Sequence, residues 1–281
     1  MTFWRAVAMG AAALAMTPAI GSASFVVSPM EHHLAVPAGG RGSASLVIRN
    51  TGARPLSLKL YLADSQFESD GREAELILGT LARSCAPWVE LGPELIELAP
   101  GETRNVFFDL STPLDARGSY WTKLYIEEIS TPEPTQQAMS GRTYQVFMRQ
   151  RMGVRIFEEV PGTAVPAMIV ERVQIESSPD ARDVILSVVN TGNVLLRCRG
   201  WIELRNSAGE VVETLLPAAD GQFTIFPDSR RELTAKSEKE LAPDTYTVLA
   251  IVDYGGDALV AGEEILEVGP RASIREKVAK R

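Results

Sequence analysis

Downstream of residue 24 the chain alternates apolar and polar residues with a period of two, in short runs closed by Gly, Pro, Asn or Asp. That period belongs to strands with one buried face, and sustained 3.6-residue periodicity is missing. Ala44–Leu62 (ASLVIRNTGARPLSLKLYL) holds two such runs around Asn50-Thr51-Gly52, and Ile185–Leu204 (ILSVVNTGNVLLRCRGWIEL) repeats the plan around Asn190-Thr191-Gly192. The echo continues, with Leu98-Ala99-Pro100-Gly101 matching Ile225-Phe226-Pro227-Asp228 and with Tyr120 and Tyr246 each opening a later run. Self-similarity on this scale means one unit used twice. The expected fold is all-β: two tandem immunoglobulin-like β-sandwich domains.

The expected division is a signal peptide over 1–23, a first domain over 24–160, a linker over 161–166, a second domain over 167–269 and a basic tail over 270–281. Strands are expected at Phe25–Pro29, Ser43–Arg49 and Leu56–Leu62, with a polar loop at Ser65–Gly71. A hairpin is expected to join Glu94–Leu98 to Glu102–Leu110 around Pro100-Gly101. Ser119–Glu127 follows as a strand, then a mobile Pro-containing loop over Thr131–Arg142, then one long strand over Thr143–Phe157. Eight runs between Ile169 and Val268 supply the second sandwich. The Asn-Thr-Gly turns are read as needing Gly52 and Gly192 for positive φ.

Met1–Ala23 places Arg5 ahead of an Ala-rich apolar stretch and ends in small residues, the order of a cleaved secretory signal. Export to the periplasm follows, with the cell surface or the medium as alternatives. Nothing later is long and apolar enough for a membrane span. The net charge of −8 argues against nucleic acid or anionic lipid as the main partner. Cys85 and Cys198 fall one in each expected domain, which leaves an interdomain bridge, an intermolecular bridge or two buried thiols open.

Catalytic chemistry finds little material. His32 and His33 are the two histidines, and neighbours on a strand face opposite ways. With no nucleophile triad, phosphate-cradling loop or metal-ligand cluster, the reading is a non-enzyme with no cofactor and no small-molecule substrate. What stands out is Tyr144–Phe157 (YQVFMRQRMGVRIF). Val146, Met148, Gln150, Met152 and Val154 share one face, while Phe147, Arg149, Arg151, Gly153 and Arg155 share the other. Such a strand is either an edge guarded by arginines or an edge offered to another chain.

Ala44–Asn50 with its Asn-Thr-Gly turn, Trp88–Arg104 (WVELGPELIELAPGETR), Asp115–Ile129 (DARGSYWTKLYIEEI) and Arg149–Gly162 resemble the first domain of PapD-like periplasmic pilus chaperones. The resemblance covers residues 24–162, and the second domain is alike in architecture only. It implies a chaperone that lends the last strand of its first domain to a pilin-like or other β-sandwich subunit, with an outer-membrane assembly protein as a further partner. It also implies that Val146, Met148, Gln150 and Met152 form the lent face, and that Arg155 anchors the subunit's terminal carboxylate, a group its forked guanidinium suits. Phe25–His33 carries no arginine to pair with it, and Gln150 stands where the family has a bulky aliphatic. The alternative is a surface or extracellular adhesive module of two sandwiches.

Overall fold

A computed structural model describes residues 24–129, 135–139, 142–147, 149–178 and 181–269. The expected signal peptide, the basic tail and Met148 lie outside these residues. The first sandwich contains β1 (Phe25–Ser28), β2 (Glu31–Leu34), β3 (Arg41–Asn50), β4 (Leu56–Phe67), β5 (Glu73–Leu76), β6 (Val89–Leu91), β7 (Leu95–Leu98), β8 (Thr103–Ser111), β9 (Gly118–Glu128), β10 (Thr135–Met139), β11 (Arg142–Val146) and β12 (Arg151–Val160). The second contains β13 (Met168–Ser177), β14 (Arg182–Asn190), β15 (Leu196–Arg205), β16 (Val211–Leu215), β17 (Gln222–Ile225), β18 (Arg230–Ser237), β19 (Asp244–Asp253) and β20 (Val260–Val268).

Each unit is two sheets face to face. In the first, β1-β3-β8-β6 packs against β2-β12-β9-β4-β5, with β7 also on β4. In the second, β13-β14-β18 packs against β16-β15-β19-β20, with β17 also on β15. Alternation does what the sequence requires of it. Leu46 and Ile48 of β3, Val106, Phe108 and Leu110 of β8, Leu124 and Ile126 of β9, and Val154 and Ile156 of β12 meet in one core. Val184, Leu186 and Val188 meet Ile202, Leu204, Val248 and Val252 in the other. Cys85 and Cys198 are free and buried, so the structure takes the two-thiol alternative. Burial pushes the Cys198 thiol up to about 12 and raises that of Cys85 further.

The two Asn-Thr-Gly motifs form the same bracket. Asn50 donates from Nδ2 to the carbonyls of Arg54 (2.7 Å) and Leu98 (3.1 Å) and accepts from Gly52 N–H (2.9 Å). Asn190 does the same with Val194 (2.8 Å), Ile225 (3.2 Å) and Gly192 (2.9 Å). Gly52 and Gly192 have no positive φ, contrary to expectation. The side-chain amide makes the turn, and Gly192 is needed because a Cβ would overlap the Val165 carbonyl.

Three further expectations change. The hairpin around Pro100-Gly101 is a crossing between sheets, because β7 pairs with β4 while β8 pairs with β3 and β6. The carbonyl of Leu98 goes to Asn50, and period two cannot tell such a crossing from a hairpin. Its twin at Pro227 has β17 on β15 and β18 on β14. Gly101 takes φ 75° where Asp228 takes 59°, a conformation that Asp tolerates better than most residues. The polar loop at Ser65–Gly71 is shorter than expected because β4 runs on to Phe67 and pairs with β5. Within the expected mobile loop, β10 pairs antiparallel with β11.

Asn190→Ala or Asn50→Ala removes an amide that serves three main-chain groups. Each substitution is expected to cost about 2–3 kcal/mol in urea unfolding. Asn190→Asp, which cannot donate to the two carbonyls, is expected to cost at least as much.

Candidate functional site

The expected single strand Thr143–Phe157 is two, with Phe147, Arg149 and Gln150 belonging to neither β11 nor β12. Alternation runs unbroken through the gap, so the sequence carries no mark of it. At the gap Gln150 turns to the opposite sheet. Its Oε1 accepts from the N–H groups of Ser24 (2.7 Å) and Phe25 (3.3 Å), and its Nε2 donates to the Phe25 carbonyl (2.8 Å). Gln150 therefore clasps the start of β1 to the start of β12.

β12 is paired unequally. On one side β9 follows it from Arg151 to Val160. On the other, β2 runs parallel to it and covers only Arg155–Glu158, beginning with a bond from Arg155 N–H to the Met30 carbonyl (3.0 Å). Main-chain groups alternate in direction along a strand. The carbonyl of Gln150 faces β9, where it accepts from Glu128 N–H, so Arg151 and Gly153 present theirs outward as Arg155 does. Among the described residues nothing pairs with that outer edge over 151–154.

The expected residues now have places. Met152 faces inward and packs half-buried against the core. Val146 lies on β11, opposite Thr135. Gln150 is the clasp. Arg155 faces outward and is already engaged: Nη1 lies 3.0 Å from Glu31 Oε1 and Nη2 lies 3.0 Å from Glu73 Oε2. Lys123, its cross-strand neighbour, lies 2.6 Å from the same Glu73 oxygen. Burial alone would raise the Glu73 carboxyl, but bonds from Lys123, Arg155 and Ser65 outweigh it and hold the group below its ordinary value. Desolvation would likewise weaken Arg155 as a base, and the two carboxylates reverse that.

Aromatic rings floor this charged face. Arg151 sits 4.3 Å above the Tyr125 ring, which packs on Tyr61, and Arg155 sits 5.9 Å above Phe67. Gly153 makes this layer fit, since a Cβ there would come 2.7 Å from Lys123 Cδ and 3.1 Å from Tyr125 Cε1. Burial, then Glu75, pushes the Tyr125 phenol up to about 12. The two histidines do face opposite ways, His32 edge-on to Phe108 and His33 stacked on Phe157. Among the described residues no group of three or more His, Cys, Asp or Glu could hold a metal ion.

The face ends at the second sandwich. Phe226 of the Pro227 turn is stacked on Phe67 (4.3 Å between centroids), tilted against Trp121 (4.6 Å) and within 6.2 Å of Phe157. Ser119 N–H donates to the Asn193 carbonyl (2.8 Å), Glu232 N–H to the Ser69 carbonyl (2.8 Å), and Arg83 pairs with Asp228 (2.9 Å). Sequence reading missed Glu73, Lys123 and Phe226. Cross-strand register alone brings Lys123 to Arg155, and nothing in the pattern marks the other two.

Glu73→Gln is expected to lower stability by about 1–2 kcal/mol, less than a fully buried pair because Arg155 is 38% exposed. A depressed folded-state pKa stabilises above the unfolded carboxyl pKa, about 4.3, and that contribution is lost as pH falls through the depressed value. Denaturation followed against pH checks this: the wild-type advantage over Glu73→Gln should shrink on the acid side.

No family model matches the chain, and no curated protein does. Solved structures do match. A chain of the chaperone–tip adhesin complex of CFA/I fimbriae biogenesis is 13% identical with a TM-score of 0.49, over 88% of this chain and 100% of that one. The class 5 fimbriae chaperone CfaA is 12% identical with a TM-score of 0.47, over 88% and 99%. A chain of the CsuC–CsuE chaperone–tip adhesion subunit complex, from the archaic Csu pili of Acinetobacter baumannii, is 12% identical with a TM-score of 0.41, over 75% and 89%. Each of these structures is of a fimbrial chaperone or of a complex that contains one, and each is similar to this chain at low identity.

Proposed function

We propose that this protein is a non-enzymatic periplasmic chaperone that holds an exported β-sandwich subunit, pilin-like or otherwise immunoglobulin-like, by lending it the outer edge of β12. One observation carries the reading: the outward main-chain groups of Arg151 and Gly153 have no partner among the described residues, on a strand whose other edge is fully paired. A client with an incomplete sheet supplies the missing ladder, and each new main-chain bond adds register as well as affinity. Val146, Met148 and Met152 are the apolar side chains proposed to meet the client, and an outer-membrane assembly protein would receive the loaded complex. Gln150, committed to β1, acts as the spacer that keeps β1 from sliding over the lent edge.

Arg155 is proposed to set register through the strand more than through its charge, since Glu31 and Glu73 already answer that charge. The guarded-edge alternative differs at one point. Arginines that only repel strangers need no client, and their loss changes aggregation alone.

Arg151→Pro separates these readings. At the first residue of an edge strand proline is tolerated, and it deletes one outward N–H without touching a bond to β9. Affinity capture of the tagged, exported chain from its own host, followed by mass spectrometry, is expected to recover a stoichiometric β-rich subunit. Arg151→Pro should lose at least tenfold of it at an unchanged Tm. Arg151→Ala, which removes the side-chain contacts to Glu75, Tyr61 and Tyr125 but keeps the outward N–H, should retain it. Undiminished capture by Arg151→Pro, or a clean monomer from the wild type, contradicts strand lending.

A further inference from the structure

We infer that the first sandwich carries a built site for a charged N-terminus at Ser24, formed by Gln150 and Glu128 and filled when the chain is cut after Ala23. The inference rests on reading Met1–Ala23 as a cleaved leader and is independent of strand lending. The first residues of a domain fray unless something ties them down. Ser24 is tied at each of its polar atoms. Its N–H donates to Gln150 Oε1 (2.7 Å), its Oγ lies 2.8 Å from Glu128 Oε2 and 3.0 Å from Gln150 Oε1, and its carbonyl accepts from Thr51 N–H (3.0 Å).

Three elements converge on that residue. Phe25, the next in sequence and the first of β1, is fully buried and anchors it from one side. Glu128 ends β9, and its N–H donates to the Gln150 carbonyl (3.0 Å), which sets the two acceptor residues side by side. Gln150 Nε2 donates to the Phe25 carbonyl (2.8 Å), so Oε1 is the atom turned to Ser24.

The side-chain atoms that meet Ser24 N and Oγ are acceptors, and the uncut chain supplies them sparingly. Its Ser24 nitrogen is an amide with one proton, and the hydroxyl has one proton between Glu128 and Gln150. Hydrolysis of the Ala23–Ser24 bond leaves the oxygen of water on the Ala23 carboxylate and both its protons on the Ser24 nitrogen. The product is an α-ammonium with three protons and a positive charge. Gln150 Oε1 and the Glu128 carboxylate are the groups that can receive them, the second through a charge-assisted bond. The charged residues flanking these partners are Glu127, which accepts from Tyr61 (2.9 Å), Arg151, paired with Glu75 (2.9 Å), Arg149 ahead of Gln150, and Arg54 beyond the Thr51 turn.

Cleavage thereby tightens the fastening of β1 to the start of β12, one residue before the open edge begins. Removal of the leader and the setting of that edge become one event. An amine beside a carboxylate is easier to protonate, so the folded chain holds the α-amino group above its ordinary value of about 7.7–8.0. A raised folded-state pKa stabilises fully below the unfolded value, and the gain is lost as pH rises through the folded one.

The intact mass of the exported chain is measured first, and a start at Ser24 is expected. Any other start overturns the cleavage reading and the site with it. Urea unfolding then compares the chain that begins at Ser24 with one that begins at Gly21 and keeps Gly21-Ser22-Ala23 ahead of the cut. The Ser24 chain is expected to have a folded-to-unfolded ratio about tenfold higher at about pH 6.5, equivalent to a rise of about one unit in the α-amino pKa, and to lose that advantage by about pH 10. Glu128→Gln keeps an acceptor for the Ser24 hydroxyl and removes the charge. It is expected to take most of the advantage from the Ser24 chain and to change the Gly21 chain by less than about twofold. With the start at Ser24 established, the site is overturned by equal stability of the two chains, by an advantage that persists at high pH, or by the same Glu128→Gln loss in both.

Discussion

The unequal pairing of β12 governs the rest of the first sandwich. A final strand between two neighbours would be an interior strand, closed to other chains. Here β2 reaches only Arg155, because the chain leaves the opposite sheet at Pro29 and has four strand residues before it departs again. β1 cannot fill the gap either. It is laddered to β3 from Phe25 to Ser28, and its start is held by Gln150. The open edge over Arg151–Val154 thus follows from where two short segments are fastened.

Exposed edges normally attract unwanted pairing, and this one is bordered by Arg151 and by the ion-paired face behind it. That face is internally balanced. Glu73 accepts from both Lys123 and Arg155, Glu75 from Arg151, and Tyr125 and Phe67 lie beneath the cations. The balance bears on the resemblance to pilus chaperones, which implies Arg155 as a free anchor for a carboxylate. In this chain Arg155 already pairs with Glu31 and Glu73 through its two terminal nitrogens, while its buried Nε has no acceptor among the described residues. Each aromatic contact of Phe226 contributes about 0.5–1.5 kcal/mol to the junction between the two sandwiches.

Much of this architecture was legible in the alternation. The second sandwich's strands, the repeated Asn-Thr-Gly plan and the matched turns at Pro100 and Pro227 all have structural counterparts, down to the same three hydrogen bonds around Asn50 and Asn190. What period two could not convey was partnership. It did not separate a hairpin from a sheet crossing at Gly101, did not mark the break before Arg151, and did not reveal β2, whose Glu31-His32-His33-Leu34 is short and largely polar. The site was half legible for the same reason. The two faces of the strand follow from alternation and Arg155 from the resemblance, whereas Glu73, Lys123 and Phe226 gain meaning only through contacts across strands and between sandwiches.

Amide hydrogen exchange on the free chain and on the chain with its captured subunit tests the open edge most directly. The account predicts that Met152 and Val154, bonded to β9, are protected in both, and that Arg151 and Gly153 exchange fast alone and become protected in the complex. Protection of Arg151 and Gly153 already in the free chain would mean that the edge is covered, and lack of protection in the complex would mean that the subunit is held elsewhere.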